Sequence, residues 1–222
     1  MFNWIKKLFN KPQFLGLLPL EKDARDFSLG VFGWGEYEPK HERFLIETLS
    51  IKDQNPFNTC TFNSRTVGKE VDEKKVLSVR FLVKMGKKLG LISGNGFANL
   101  RSSEIVVQKY GICEDNLMPQ GNNDWEAYSA ANITQQQLDN AAKHKSESFW
   151  AVRNRYEAWK MLDEGRTIRF GVSWRTSMNM AGGFNFPWLL NFLRGVIVGG
   201  HAILVVGYEE RDKLVCQNSY GS

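Results

Sequence analysis

Cysteine is scarce in this chain of 222 residues: Cys60, Cys113 and Cys216 are the only three, odd in number and widely spaced. That spacing excludes the disulfide framework of a small secreted domain and any CxxC metal pair, and it favours a reducing compartment. Long apolar runs are missing too. None reaches the ~18 residues of a membrane-crossing helix, and "MFNWIKKLFNKPQFLGLLPL" is broken by Lys6, Lys7, Lys11 and Pro12, unlike a signal-peptide core. The mature protein is expected to begin close to Met1, without a secretory signal. A strong excess of one charge is also absent. Lys and Arg number 29 against 24 Asp and Glu, a net +5, and the two signs alternate along the chain. The basicity therefore reads as solvated surface, and no nucleic-acid partner is expected.

Apolar residues make up 42% and aromatics 13% of the chain, enough for a folded protein. The length suits one large domain or two small lobes sharing a cleft. Residues 2–9 place Trp4, Ile5, Leu8 and Phe9 on one helical face. Docking on the protein's own body is the simpler reading of residues 1–11, and attachment to a membrane or a larger assembly the sharper one. A Gly-rich extended region, "FSLGVFGWGEYEPKHERF", follows. "TFNSRTVGKEVDEKKV" has helix-compatible composition but a poor apolar stripe, with Phe62, Val67 and Val71 as its candidates for burial. "VLSVRFLVKMGKKLG", "LRSSEIVVQKYG" with its closing Gly111, and "ESFWAVRNRYEAWKMLDEG" with Gly165 read as further helices, and "PQGNNDWEAYSAANITQQQ" as a polar connection. From Thr167 the period changes. "TIRFGVSW" alternates, and "HAILVVGYEERDKLVCQNSYG" reads as strand, charged turn and strand. Helices first and strands last predict an α+β fold with two lobes.

A cysteine nucleophile needs an imidazole to hold it as thiolate, a third group to orient that ring, and donors for the oxyanion. Cys60 falls at an expected helix start, where the macrodipole lowers a thiol pKa. His201 lies 141 positions later in "VGGHAILVVGY", behind two glycines that leave room for a substrate. Asn218 follows where a hairpin would return it beside His201, and Gln54 precedes Cys60 closely enough to share its oxyanion. Taken alone, Cys60 reads as a buried structural thiol and His201 as a core histidine; the order of the four positions changes that. His41 and His144 sit in charged runs and read as solvated surface, and Cys113 and Cys216 as buried. Nothing has metal-ligand spacing, and no cofactor is indicated.

Gln54 and Cys60 in "QNPFNTC", His201 in "GGHAILVVGY" and Asn218 in "QNSYG" resemble the papain-like cysteine peptidases, in a bacterial or phage branch, over roughly residues 20 to 222. The resemblance implies a papain-like domain over 21–222 behind an N-terminal extension of residues 1–20. Its helical lobe would span about 50–150 and its strand-rich, barrel-like lobe about 165–222, with the site in the cleft between them. It further implies Cys60 as nucleophile, His201 as base and then acid, Asn218 as orienting group and Gln54 in the oxyanion hole. Tyr220 would take the place of the tryptophan that shields the Asn–His bond. "GNGFAN" lacks a phosphate-loop pattern; Gly94 and Gly96 there, with Gly200, would let a peptide backbone approach. The implied activity is that of a thiol endopeptidase on peptide or protein substrates. Only some fifty residues precede Cys60, so no long inhibitory propeptide is expected and control would come from elsewhere. The polar central helix, the end at Ser222 and the amphipathic start motivate a rival: a non-catalytic papain-fold component of a virion or other large assembly. The expected location is accordingly cytoplasmic or virion-associated.

Overall fold

The computed structural model describes residues 15–20, 27–28, 37–121, 123–175, 196–210 and 213–221; the amphipathic segment 2–9 lies outside them. In chain order the described elements are β1 (Phe27–Ser28), β2 (Arg43–Leu45), α1 (Cys60–Glu73), α2 (Val79–Lys88), α3 (Leu100–Lys109), α4 (Trp125–Ser129), α5 (Gln135–Ala141), β3 (Trp150–Ala151), α6 (Arg155–Asp163), β4 (Ile168–Arg175), β5 (Ile197–Glu209) and β6 (Lys213–Gln217). The helices precede β4, β5 and β6, as the change of period predicts, while β2, which pairs with β5, comes before α1.

The centre of the molecule is α1, buried without a break from Cys60 to Val71. Its apolar side chains are few, but each reaches a different cluster. Phe62 enters the helical-lobe core with Phe81, Leu82 and Val106, while Val71 packs with Trp159, Leu162 and Tyr208, and Val67 with Leu204 and Val206 of β5. The polar side chains on the same helix are buried with partners, which is what makes their burial tolerable. The Glu70 carboxylate accepts from Ser50 Oγ at 2.6 Å and the Leu77 N–H at 2.8 Å and pairs with Lys52 Nζ at 2.8 Å. Lys69 Nζ pairs with Glu73 at 2.6 Å and donates to the Lys145 carbonyl at 3.0 Å. Arg65 Nε donates to Glu104 at 2.9 Å, and Arg169 of β4 grips the other oxygen of that carboxylate.

That Arg65–Glu104–Arg169 cluster ties α1 and α3 to the sheet. Arg169 also donates to Ser103 Oγ at 2.8 Å and to the Thr61 carbonyl at 3.3 Å. Burial works against the charge of Glu104, yet the two guanidiniums beside it hold its carboxyl below the usual carboxylate range.

The sheet runs β2–β5–β4 with β6 on the other edge of β5, antiparallel throughout. Register places Val172 of β4 opposite His201 and Leu204 of β5 opposite Gln217, so the β5–β6 hairpin returns Asn218 toward His201. A separate two-residue parallel pairing joins β1 and β3.

Several expectations are corrected. The polar connection contains α4 and α5. Asp124 and Thr134 cap them, Thr134 in a reciprocal capping box with Gln137, so capping chemistry supplies what apolar periodicity lacks. The start of "ESFWAVRNRYEAWKMLDEG" is strand, and the helix begins at Arg155 behind the Asn154 cap. His144 is buried, its Nδ1 3.0 Å from Glu73 and its Nε2 3.6 Å from Glu114; its partners come from distant segments, and the charged run around it in sequence is no sign of exposure. Cys216 is exposed, on an outward position of β6.

Replacing Glu104 with Gln leaves two buried guanidiniums without a counter-charge. Glu104→Gln is expected to cost about 3–5 kcal/mol in denaturant unfolding; a change within ~0.5 kcal/mol would show that the cluster does not hold the lobes together.

Candidate active site

Cys60 is the first residue of α1, placed there by Thr59, toward which the Asn63 amide turns back with two 2.9 Å hydrogen bonds. Its sulfur accepts from the Ala202 N–H at 3.4 Å, and the N–H of Gly16 also faces it. His201 and Ala202 are neighbours on β5, so the strand that holds the imidazole also touches the thiol. The imidazole Nε2 of His201 lies 2.7 Å from Asn218 Oδ1. Its Nδ1 is buried and has no hydrogen-bond partner.

Gln54 is fully buried. Its backbone N–H donates to the Ser219 carbonyl at 2.8 Å, its Oε1 accepts from Ser219 Oγ at 2.5 Å, and its Nε2 donates to the Phe57 carbonyl at 3.3 Å. The stretch before Cys60 is thereby joined to the stretch after Asn218, an arrangement continued by the Asp53–Tyr220 bridge. Tyr220 stacks on the His201 ring with centroids 5.1 Å apart and planes 8° apart. Trp174, which the sequence reading did not single out, stands nearly perpendicular to that ring at 4.8 Å. Its signal was the inward phase of the alternation in "TIRFGVSW", two residues beyond Val172.

The cleft is occupied by the chain itself. The Leu17 N–H donates to the Gly200 carbonyl at 3.1 Å, the Leu18 N–H to the Ala98 carbonyl at 2.9 Å, and the Ala98 N–H to the Gly16 carbonyl at 2.9 Å. Residues 16–18 thus form a strap bridged in parallel to Ala98 and hydrogen-bonded on its other side to β5. Glycine is required at its first residue, since a Cβ on Gly16 would lie 1.6 Å from the Asn58 carbonyl oxygen. The Leu17 side chain fills the space over Gly171, whose Cβ would lie 2.4 Å from it. Gly200 and Gly96 provide close backbone approaches, to Leu17 and to Asn58 respectively. Gly94, at φ +52°, serves the turn between Ser93 and Phe97 and stands apart from the strap. The sequence leads one to expect control from outside the residues before Cys60; a segment of those residues lies across the thiol.

Enclosure sets the protonation of the pair. Burial pushes the Cys60 thiol up, against the N–H donors that face its sulfur, and pushes the His201 imidazole down, against its bond to Asn218. Both shifts favour the neutral form of each group. The strap offers Cys60 an N–H rather than a carbonyl carbon, so it is not presented for attack.

The same architecture recurs in solved structures. Xylellain, a cysteine protease from Xylella fastidiosa, aligns with a TM-score of 0.74 at 21% identity over 94% of this chain and 85% of its own. Procathepsin B S9 from Trypanosoma congolense gives 0.65 at 13% over 93% and 76%, and digestive procathepsin L2 from Tenebrio molitor larval midgut 0.64 at 15% over 93% and 68%. No family model and no curated protein matches the chain. The likenesses establish a papain-like fold.

Gly16→Ala forces the strap away from Asn58. Alkylation of Cys60 by iodoacetamide at pH 7 is expected to accelerate more than about tenfold, the equivalent of losing ~1.4 kcal/mol of closure, with the exposed Cys216 as internal reference in the mass spectrum. An unchanged Cys60 rate would mean that the strap does not guard the thiol.

Proposed function

We propose that this protein is a thiol endopeptidase of the papain type whose resting form is closed by its own residues 16–18. The observation that carries the reading is the 2.7 Å contact of His201 Nε2 with Asn218 Oδ1, on a strand whose next residue, Ala202, hydrogen-bonds the sulfur at the start of α1. With the strap withdrawn, water and substrate replace the apolar enclosure and the proton of Cys60 passes to His201. The thiolate attacks the scissile carbonyl, and the oxyanion that forms is received by the Cys60 N–H with the Gln54 amide. His201 returns the proton to the leaving amine, giving a thioester on Cys60. Water, deprotonated by His201, then displaces the sulfur and releases the acid. Asn218 holds the ring through both steps, and the extended substrate would take the backbone partners that the strap now holds, Ala98 and Gly200.

One observation favours the rival reading, a papain-fold component of a larger assembly without catalysis: the cleft is filled and His201 Nδ1 has no hydrogen-bond partner. The two readings separate in one comparison of the wild-type chain, Leu17→Glu, which expels the strap by placing a charge over Gly171, and Leu17→Glu carrying Cys60→Ala. The peptidase reading expects hydrolysis of unstructured protein to rise at least about tenfold in Leu17→Glu and to vanish without Cys60. No cleavage by Leu17→Glu, with Cys60 freely alkylated, would instead support the assembly role.

A further inference from the structure

Trp174 takes no part in the chemistry above, yet it is only 8% exposed and lies against two rings of the site. Its centroid is 4.8 Å from that of His201 and 6.1 Å from that of Tyr220, and the latter two are 5.1 Å apart. Those three separations form a compact triangle, so the indole lies alongside the stacked pair rather than beyond either ring. Its plane meets theirs at 76° and 82°.

The sheet explains how it gets there. Val172 is the cross-strand partner of His201, and Trp174 is two residues on, so both present side chains on the face that carries the imidazole. The partner of Trp174 is Gly199, which has no side chain to stand between the indole and its diagonal neighbour His201. An irregularity between Trp174 and Arg175 ends the regular register just after it.

Stacking on one face leaves an imidazole a degree of freedom. The ring can slide in its own plane across Tyr220, and that motion carries Nε2 away from Asn218. A flat wall at right angles to the plane blocks it, and also keeps water from the edge it covers. We propose that Trp174 is a positioning residue that holds His201 in register with Asn218, acting with Tyr220 as the second of two perpendicular surfaces. The inference rests on the reading of His201 as the base of a peptidase, but its test does not need hydrolysis.

The test is the solvent exchange of the His201 Nε2 proton, followed by NMR in the full chain and assigned by its loss in His201→Gln. The wild-type protein is expected to show a slowly exchanging downfield ring proton. Trp174→Phe should keep it, because a flat ring remains, and Trp174→Leu should speed its exchange at least about tenfold. If Trp174→Leu does not fold, Trp174→Met carries the same expectation. A wild-type chain with no protected ring proton, an aliphatic variant exchanging at the wild-type rate, or equal acceleration by Phe and the aliphatic residue would each overturn the proposal. A chain that shows the Trp174 effect while its strap-released form cleaves nothing would sink the peptidase reading and leave the wall standing.

Discussion

Burying a polar helix between two lobes is the constraint on which the other features depend. Ionised side chains taken out of water are costly unless each finds a partner, and on α1 each of Arg65, Lys69 and Glu70 does so on a different neighbouring segment. The helix is thereby fixed in rotation and depth from several directions, and Cys60 with it. Arg169 makes the link specific to the site: it reaches from β4 to Glu104 and to the carbonyl of Thr61, one residue from Cys60. The strand facing His201 and the helix carrying Cys60 are thus joined by one side chain.

Within that frame the site is enclosed. Asn218 and Tyr220 act on His201 from the β6 end, Trp174 from β4, and Gln54 ties the segment before Cys60 to Ser219 after Asn218. The strap completes the enclosure with a glycine over Asn58 and a leucine over Gly171. The same burial pushes the Cys60 thiol up and the His201 imidazole down, so exclusion of solvent and the protonation of these two groups arise from one set of contacts.

Much of this was legible in the sequence where local physics decides. The shift from helical to alternating period at Thr167 pointed to strands after the helices, and Cys60, His201 and Asn218 were singled out by the resemblance of "QNPFNTC", "GGHAILVVGY" and "QNSYG" to the papain-like cysteine peptidases. The structure puts Cys60 at a helix start and His201 beside Asn218. What escaped depends on contacts distant in sequence. α1 offered only a poor apolar stripe, because the partners of its buried polar side chains, Ser50, Glu104 and Lys145, lie in other segments. His144 looked solvated for the same reason. Helices α4 and α5 were hidden because their caps and not an apolar stripe define them. The strap could not be read at all, since "LGLL" has no marker until Asn58, Ala98 and Gly200 are placed around Gly16 and Leu17.

Cys60 is proposed as a nucleophile poised by His201 behind a removable strap, and trapping of the acyl-enzyme tests that role most directly. Strap-released protein would be mixed with an activated peptide ester at pH 6, quenched in acid, and digested for mass spectrometry. The account predicts one acyl group, on Cys60, lost when His201 is replaced by Gln. Acylation on the exposed Cys216 in preference to Cys60, or on Cys60 at the same rate without His201, would contradict it.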